Sequence, residues 1–236
     1  EISACLVGSE MCIRDSYAPT SRFGSVADFQ KLVDDLHQAG VGVILDWTPA
    51  QFPRYASGLE KFDGTPLYER QNPAEAIHPF WGTLLYNYGS PMVKDFLISN
   101  ACFWAEVYHA DGLRMDDVDA MLYLDYGRNP GEWTPNIYGT NENLDALEFL
   151  KHLNSVIKER NPGLLLVAQE NGLWPELTDS VENDHLGFDY KWSGGWTKDL
   201  LEYLSKDPIE RKNYHDQLTM SMLYACLLYT SDAADD

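Results

Sequence analysis

Apolar side chains recur at helical spacing in the first well-patterned stretch of the chain, between residues 25 and 40. Ser25, with Asp28 three residues later, has the pattern of a capping box, and Gly40 stands where the pattern stops. The apolar positions between them are three and four residues apart, as one face of a helix requires. They are Val26, Phe29, Leu32, Val33 and Leu36. This stretch predicts an amphipathic helix.

Two longer helices are predicted by the same spacing. Ser90 and Pro91 open the first of them, and its apolar stripe reaches Val107. The second covers about residues 142–160 and stops at the Asn-Pro-Gly sequence that follows it.

Short continuous apolar runs separate these helices. They lie at residues 41–46, 111–116 and 164–168, with a weaker run at 187–192. Buried strands that alternate with amphipathic helices indicate βαβ units and a parallel sheet covered on both faces. The pattern predicts an α/β fold and leaves a doubly wound sheet and a (β/α)₈ barrel open. The chain contains neither GxGxxG nor GxxxxGK[ST], so no nucleotide fingerprint favours the doubly wound sheet.

The segment from residue 47 to residue 89 has no clear periodicity and is rich in proline, glycine and aromatic residues. Structureless connections of this length are uncommon unless they are functional, so we interpret the segment as a functional loop region. Weaker patterns predict a helix near 197–205 and another after Pro208.

The charge balance narrows the classes of partner. Against 37 acidic residues stand 17 basic ones, a net charge of −20, which disfavours binding to nucleic acid or to an anionic membrane surface. A neutral partner fits better, and the 7 Trp and 14 Tyr could supply stacking walls for sugars as well as core packing. No apolar stretch reaches the roughly 18 to 20 residues of a membrane span, and no secretory pattern is present, so we expect a cytoplasmic protein. The cysteines and histidines show no metal spacing, and we expect neither a metal nor a cofactor.

The two ends differ from the middle of the chain. Residues 1–16 and 226–236 resemble translated adapter sequence, and neither continues the pattern beside it. We expect both segments to be non-native and residues 17–225 to be a partial catalytic domain. A divergent natural terminus is the alternative.

Polar residues end three of the predicted strands. They are Asp46, Asp116 and the neighbouring pair Gln169 and Glu170. Ligands bind at the carboxyl edge of parallel sheets, so these positions are candidates for an active site. Adjacent strands lie ~4.8 Å apart, which suits the two carboxyl groups, ~5 to 5.5 Å apart, of a retaining glycosidase or transglycosidase.

Arg114 and Asp116 lie two residues apart on one strand and therefore share a face, opposite Leu113 and Met115, which can pack against helices. A guanidinium beside a carboxylate favours its ionised form, so we expect a lowered pKa for Asp116. An isolated pair of this kind would be structural, but the polar ends of the neighbouring strands favour chemistry here.

Five segments, in this order, closely resemble the bacterial 1,4-α-glucan branching enzymes of the α-amylase superfamily, glycoside hydrolase family 13. They read YAPTSRFG, GVILDWTPAQFP, DGLRMDDVDAMLYLDY, GEWTPNIYG and GFDYKWSGGW. The resemblance implies a (β/α)₈ TIM barrel, of which this chain would contain about strands 3 to 6. It also implies an enzyme of glycogen biosynthesis that cleaves an α-1,4 linkage by a retaining double displacement. Such an enzyme transfers the chain to a 6-hydroxyl of an α-glucan.

The resemblance assigns roles to individual residues. Asp46 matches the aspartate that shapes the sugar subsite, Arg114 the arginine that orients the nucleophile, and Asp116 the nucleophile itself. Gln169 stands at the acid/base position, where the family usually has glutamate. Glutamine has no titrating proton, so Glu170 is a candidate substitute, although neighbouring residues of a strand point to opposite faces.

Other positions carry weaker assignments. Gln51 stands where the family usually has a sugar-binding histidine. Trp47, Trp133 and Tyr138 are candidate stacking platforms for glucose rings, whereas Trp81, Trp174 and Trp192 could equally be packing residues. Asp117 and Asp119 replace small residues, and we interpret them as solvated loop acids or a capping pair. We interpret His78, His109 and His152 as satisfied surface or core histidines.

Two alternatives remain. The protein could be another α-amylase-superfamily hydrolase, or a non-catalytic α-glucan-binding paralogue, as Gln169 suggests. The family's fourth motif, with the third catalytic aspartate, is expected beyond residue 225. We therefore expect this chain alone to be inactive and poorly soluble.

Overall fold

The computed structural model describes residues 16–54, 58–172, 174–175, 177–192, 194–216 and 218–219. The predicted non-native segments 1–16 and 226–236 lie outside the described residues, apart from Ser16.

The three helices and four strands predicted between residues 25 and 192 are present, and the structure adds short elements between them. In chain order they are α1 (Val26–Gln38), β1 (Ile44–Trp47), β2 (Gln51–Phe52), α2 (Pro73–Ala76), β3 (Leu84–Leu85), α3 (Pro91–Val107), β4 (Gly112–Met115), α4 (Val118–Leu122), α5 (Leu144–Arg160), β5 (Leu165–Gln169), β6 (Tyr190–Trp192) and α6 (Gly194–Ser205). Short 3₁₀ turns lie at Val181–Asn183 and Arg211–Asn213, the second where a helix after Pro208 was predicted.

Four of the described strands form one parallel sheet in the order β1-β4-β5-β6. The register places Asp46 opposite Arg114, and Met115 opposite Ala168. The strands β2 and β3 form a separate antiparallel pair inside the segment that was predicted to be irregular. The α/β fold class predicted from the alternation is therefore confirmed.

The first helix begins as its sequence predicts. The Ser25 hydroxyl accepts a hydrogen bond from the Asp28 amide at 3.2 Å, and the Asp28 carboxylate accepts one from the Ser25 amide at 2.7 Å. Only Val33 of its apolar face is buried. The ring of Phe29 on this helix lies 5.4 Å from the ring of Tyr108, which follows α3.

The core lies between the sheet and the long helices. Leu113 and Met115 of β4 are fully buried, as the strand alternation predicts. They join the inward residues of β5 and α5 in one hydrophobic cluster. Those residues are Leu166, Ala168, Phe149, Leu150, Leu153 and Ile157.

Two strand boundaries differ from the prediction. The strand predicted at 41–46 begins pairing only at Ile44, because the amides of Asp111 and Gly112 both bind the carbonyl of Val43 and the parallel ladder starts after them. The strand predicted at 164–168 extends through Gln169, which pairs with Trp192 of β6. Gln169 therefore belongs to the sheet itself and not to the loop that follows.

Candidate active site

The parallel register brings three polar side chains to the same end of neighbouring strands. Asp46 lies on β1, Asp116 directly follows β4, and Gln169 is the last residue of β5. Arg114 lies between them, one residue before the end of β4.

The guanidinium of Arg114 contacts all three. Its Nε donates a hydrogen bond to Asp46 Oδ1 at 2.5 Å, and its Nη1 lies 3.6 Å from Asp116 Oδ1. The same Nη1 donates to the side-chain oxygen of Gln169. The ring of Trp192 lies against this guanidinium, with 5.4 Å between its centre and Arg114 Cζ. We call Arg114, Asp46, Asp116 and Gln169 the Arg114 cluster.

The electrostatic environment of Asp116 differs from the sequence-based expectation. Burial raises the pKa of Asp116, and the nearby carboxylates of Asp117 and Asp46 raise it further. Arg114 acts in the opposite direction but does not outweigh them. The predicted lowering of this pKa is therefore wrong, because burial and the neighbouring carboxylates together outweigh the guanidinium.

Gln169 and Glu170 face different surroundings. Gln169 binds Arg114 and belongs to the Arg114 cluster. Glu170 is fully buried and forms an ion pair with Lys191, whose side chain is also nearly inaccessible. Lys191 also donates to the carbonyl of Gly172 at 2.8 Å. Because successive residues of a strand point to opposite faces, Glu170 lies apart from the Arg114 cluster, and its acid/base role stays a prediction.

Asp119 lies on the Glu170 side of the strand. Its carboxylate is buried and accepts hydrogen bonds from the amide and the side chain of Asn171, at 2.9 and 3.0 Å. Burial, and then the hydrogen bond with Glu170, raise the pKa of Asp119 to about 7. The interpretation of Asp119 as a solvated loop acid is therefore wrong.

Asp117 joins several loops beside Asp116. His78, which is fully buried, places its Nε2 2.7 Å from Asp117 Oδ2. Gln51 donates its side-chain amide to the same oxygen at 3.0 Å and accepts a hydrogen bond from Thr83. Gln51 is buried and its amide is engaged on both sides, so the structure does not present it to a sugar as predicted. Asp117 is not a solvated acid either.

His78 is the buried neighbour of Asp117 that the sequence did not indicate. It was interpreted as a satisfied histidine, and its nitrogens are indeed all hydrogen-bonded. Its sequence position, 39 residues before Asp117, carries no motif that would connect the two.

The aromatic candidates separate into two groups. Trp47 is 7% exposed and donates its indole N–H to Asn100 Oδ1 at 2.6 Å, so it packs in the core, and its stacking role stays a prediction. Trp133 is partly exposed and Tyr138 is exposed, and both lie on the long loop between α4 and α5. Trp192, which the sequence left undecided, is exposed and lies against Arg114.

Among the described residues, no group of three or more His, Cys, Asp and Glu side chains could hold a metal ion. None of the described helices combines the length and the apolar content needed to cross a membrane.

Comparison with known proteins identifies relatives that match most of this chain, while the chain matches only part of each relative. No protein-family model matches the chain. Over 209 residues, 89% of the chain, it is 54% identical to 1,4-α-glucan branching enzymes of Thermobifida fusca and of Methylococcus capsulatus. The chain spans about 28% of the length of these relatives.

Solved structures with the same fold are α-amylases. An α-amylase of Geobacillus thermoleovorans, solved in complex with acarbose, superposes with a TM-score of 0.61 at 19% identity over 91% of this chain and 43% of its own. A maltogenic α-amylase of Thermotoga neapolitana gives 0.59 at 15% identity, over 89% of this chain and 41% of its own. At this identity the likeness concerns the fold, and the predicted partial (β/α)₈ barrel is confirmed.

Proposed function

Because this chain is homologous to part of the bacterial 1,4-α-glucan branching enzymes, we propose that it carries the nucleophile side of an α-glucan branching site. The observation that supports this most directly is the Arg114 cluster. One guanidinium joins Asp46, Asp116 and Gln169 at the carboxyl edge of three neighbouring parallel strands. That edge is where α/β barrels bind their substrates.

In the proposed reaction, Asp116 is the nucleophile. Its carboxylate attacks the anomeric carbon of an α-1,4-linked glucose, a C–O bond to Asp116 forms, and the bond to the leaving sugar oxygen breaks. A 6-hydroxyl of an acceptor chain then attacks the same carbon and releases the carboxylate. Asp46 and Arg114 hold the sugar and the nucleophile in place.

Each half-reaction also moves one proton. The leaving oxygen must gain a proton in the first step, and the acceptor hydroxyl must lose one in the second. Gln169 can donate a hydrogen bond but cannot supply or receive this proton. The proposed site therefore binds α-glucan and presents a nucleophile, while its proton transfer is impaired at residue 169.

Grafting the chain into a complete relative tests this proposal. The matched 209 residues would replace their counterpart in the Thermobifida fusca enzyme, once with Gln169 and once with Gln169→Glu. We expect Gln169→Glu to raise the branching rate on amylose by on the order of 10² to 10⁴, the usual contribution of a positioned acid/base. Loss of iodine colour together with new α-1,6 linkages measures branching. Asp116→Asn in the Gln169→Glu graft is the control and should abolish the activity.

The outcomes separate the proposal from its alternatives. Accumulation of reducing ends without new α-1,6 linkages would indicate a hydrolase. A Gln169 graft as fast as the parent enzyme would contradict the assignment of residue 169 as the acid/base position. Equal, negligible rates of both grafts, with the parent enzyme active, would contradict the proposed site altogether.

A second function is favoured by the environment of Glu170. Since Gln169 cannot titrate and Glu170 is buried against Lys191, the site could serve α-glucan binding without catalysis. Retention of the chain in a native gel containing glycogen, lost in Arg114→Met, would support binding. In this case the Gln169→Glu graft would gain an activity that the Gln169 graft lacks completely. A cytoplasmic location stays a prediction from the sequence.

A further inference from the structure

Asp117 has a left-handed backbone conformation, which is uncommon for residues other than glycine. It directly follows Asp116 and adopts a left-handed conformation, with φ 60° and ψ 39°. Aspartate and asparagine tolerate this region better than most non-glycine residues. The conformation turns the chain from β4 into α4 at the residue next to the proposed nucleophile.

The hydrogen bonds of His78 define which of its nitrogens carries the proton. Its Nδ1 lies 3.2 and 3.3 Å from the backbone amides of Phe80 and Trp81, which can only donate. Nδ1 is therefore the acceptor, so the ring proton is on Nε2 and is donated to Asp117 Oδ2, 2.7 Å away. In this tautomer the imidazole is neutral.

Gln51 and Tyr126 complete the surroundings of this carboxylate. Gln51 donates its amide to the oxygen that His78 binds. The Tyr126 side chain also hydrogen-bonds to Asp117, and burial, with Asp117 and the other nearby carboxylates, raises the pKa of Tyr126, so that the phenol keeps its proton and donates it. These three partners are neutral donors, which hold the carboxylate without neutralising its charge.

We propose that Asp117 is a positioning residue for Asp116. It ties the end of β4 to the loops that carry Gln51, His78 and Tyr126, and its charge acts directly on the neighbouring carboxyl group. The functional meaning of this proposal rests on the proposed role of Asp116 as nucleophile.

The charged groups around Asp116 determine in which direction the loss of the Asp117 charge shifts the pKa of Asp116. Arg114 faces it from β4 and favours its ionised form, whereas Asp46 from β1 and Asp117 oppose ionisation. Tyr126 is near these carboxylates but is protonated, and β5 contributes the uncharged Gln169. Removing the charge of Asp117 should therefore let Asp116 ionise at lower pH.

Gln51 and Asp117, which both differ from the family pattern, contact each other in the structure. Gln51 replaces a histidine and Asp117 replaces a small residue, and the two side chains are hydrogen-bonded across 66 positions of sequence. The glutamine amide at residue 51 is a neutral donor to the Asp117 carboxylate. This pair differs from the family pattern, in which residue 51 contacts the sugar.

The test uses the complete chain and the isosteric variant Asp117→Asn. Asparagine keeps an acceptor oxygen for the His78 Nε2 proton and tolerates the left-handed backbone, so it removes the charge and keeps the tether. Titration of the side-chain carboxyl ¹³C resonances should show the midpoint of Asp116 lowered by on the order of half a unit to one unit. The ring ¹⁵N shifts of His78 should still report a proton on Nε2.

Asp34→Asn is the matched control. Asp34 is an exposed acid on α1 that binds Gln38 at 2.7 Å, and its replacement changes the net charge equally while leaving Asp116 unaffected. Asp117→Ala, which also removes the tether, should in addition free the His78 proton to exchange between both nitrogens. If Asp117→Ala does not fold, Asp117→Asn alone decides the question.

An Asp116 midpoint unchanged in Asp117→Asn, or moved equally by Asp34→Asn, would overturn the proposal. The measurement needs neither substrate nor turnover, so it is independent of the branching assay. A lowered midpoint combined with inactive grafts would retain the electrostatic coupling and reject the role of Asp116 as nucleophile.

Discussion

At the scale of single residues, nearby acidic side chains of this protein have different surroundings, which shift their pKa values by different causes. Asp116 and Asp119 are three residues apart, yet one faces an arginine shared among several partners and the other a buried glutamate. Desolvation raises the pKa of both carboxyl groups, and the neighbouring charges set the remaining difference. One short segment therefore contains a carboxyl group beside a guanidinium and another that is buried beside a glutamate.

Asp119 should make the stability of the folded chain depend on pH. Its pKa is about 7 in the folded state and about 4 in the unfolded state, so between these values the folded state binds the extra proton. Folding is favoured by this proton below about pH 4, and the advantage is lost as the pH rises towards 7. Asp119→Asn should remove this dependence, since the amide remains a donor to Glu170.

Urea unfolding between pH 4 and pH 7.5 measures the effect. The free energy of unfolding of Asp119→Asn should rise relative to the unsubstituted chain by on the order of 2 to 4 kcal/mol across this interval. Asp34→Asn, at an exposed site, should show no such trend. A constant difference between Asp119→Asn and the unsubstituted chain at all pH values would refute the raised pKa of Asp119.

At the scale of elements, Arg128 ties the loop between α4 and α5 to α2 and the residue after it. Arg128 donates to the carbonyls of Ala74, Glu75 and Ile77 at 2.7, 3.0 and 2.7 Å. These carbonyls belong to α2 and the residue after it, and Thr134 adds a hydrogen bond to the Glu75 side chain at 2.6 Å. The loop carries Trp133 and Tyr138.

Arg128→Lys should loosen this loop without unfolding the core. Lysine keeps the charge but cannot reach three carbonyls with a planar fork of donors. Hydrogen exchange of residues 123–143 should become at least several-fold faster, while α5 keeps its protection. Arg160→Lys, at a surface pair with Glu106, is the matched control and should leave the loop unchanged. Unaltered exchange in Arg128→Lys would show that other contacts hold the loop.

At the scale of the whole molecule, the outer strands of the described sheet carry exposed apolar side chains. Ile44 on β1 is 50% exposed, and Tyr190 and Trp192 on β6 are 60% and 56% exposed. Unpaired strand edges of this kind favour association between chains. The net charge of −20 opposes association by repulsion, which salt screens.

The chain should therefore self-associate, and more strongly as salt is added. Light scattering after size-exclusion chromatography should show oligomers that grow with concentration and ionic strength. Ile44→Lys should reduce them by placing a charge on the edge strand. Leu201→Lys, at an equally exposed position of α6, should have a smaller effect. A monomer that unfolds cooperatively at all salt concentrations would contradict this prediction.

The sequence by itself determined the main helices and strands, the α/β fold class and the strand ends that carry polar residues, but not the short elements β2, α2, β3 and α4. This information is local, because helical spacing, apolar runs and the capping box of Ser25 and Asp28 are each contained in a few consecutive residues. The alternation along β4 likewise placed Arg114 and Asp116 on one face. The resemblance to branching enzymes rests on local motifs too.

The tertiary structure alone decided which side chains meet and what burial does to them. Trp47 binds Asn100 across 53 positions, and His78 binds Asp117 across 39. The pKa of Asp116 and of Asp119 follows from such long-range neighbours and from desolvation, neither of which a local pattern contains. Through-space contacts depend on how strands register and loops fold back, so the burial and the partners of Gln51, Trp47 and Glu170 were known only from the packed chain.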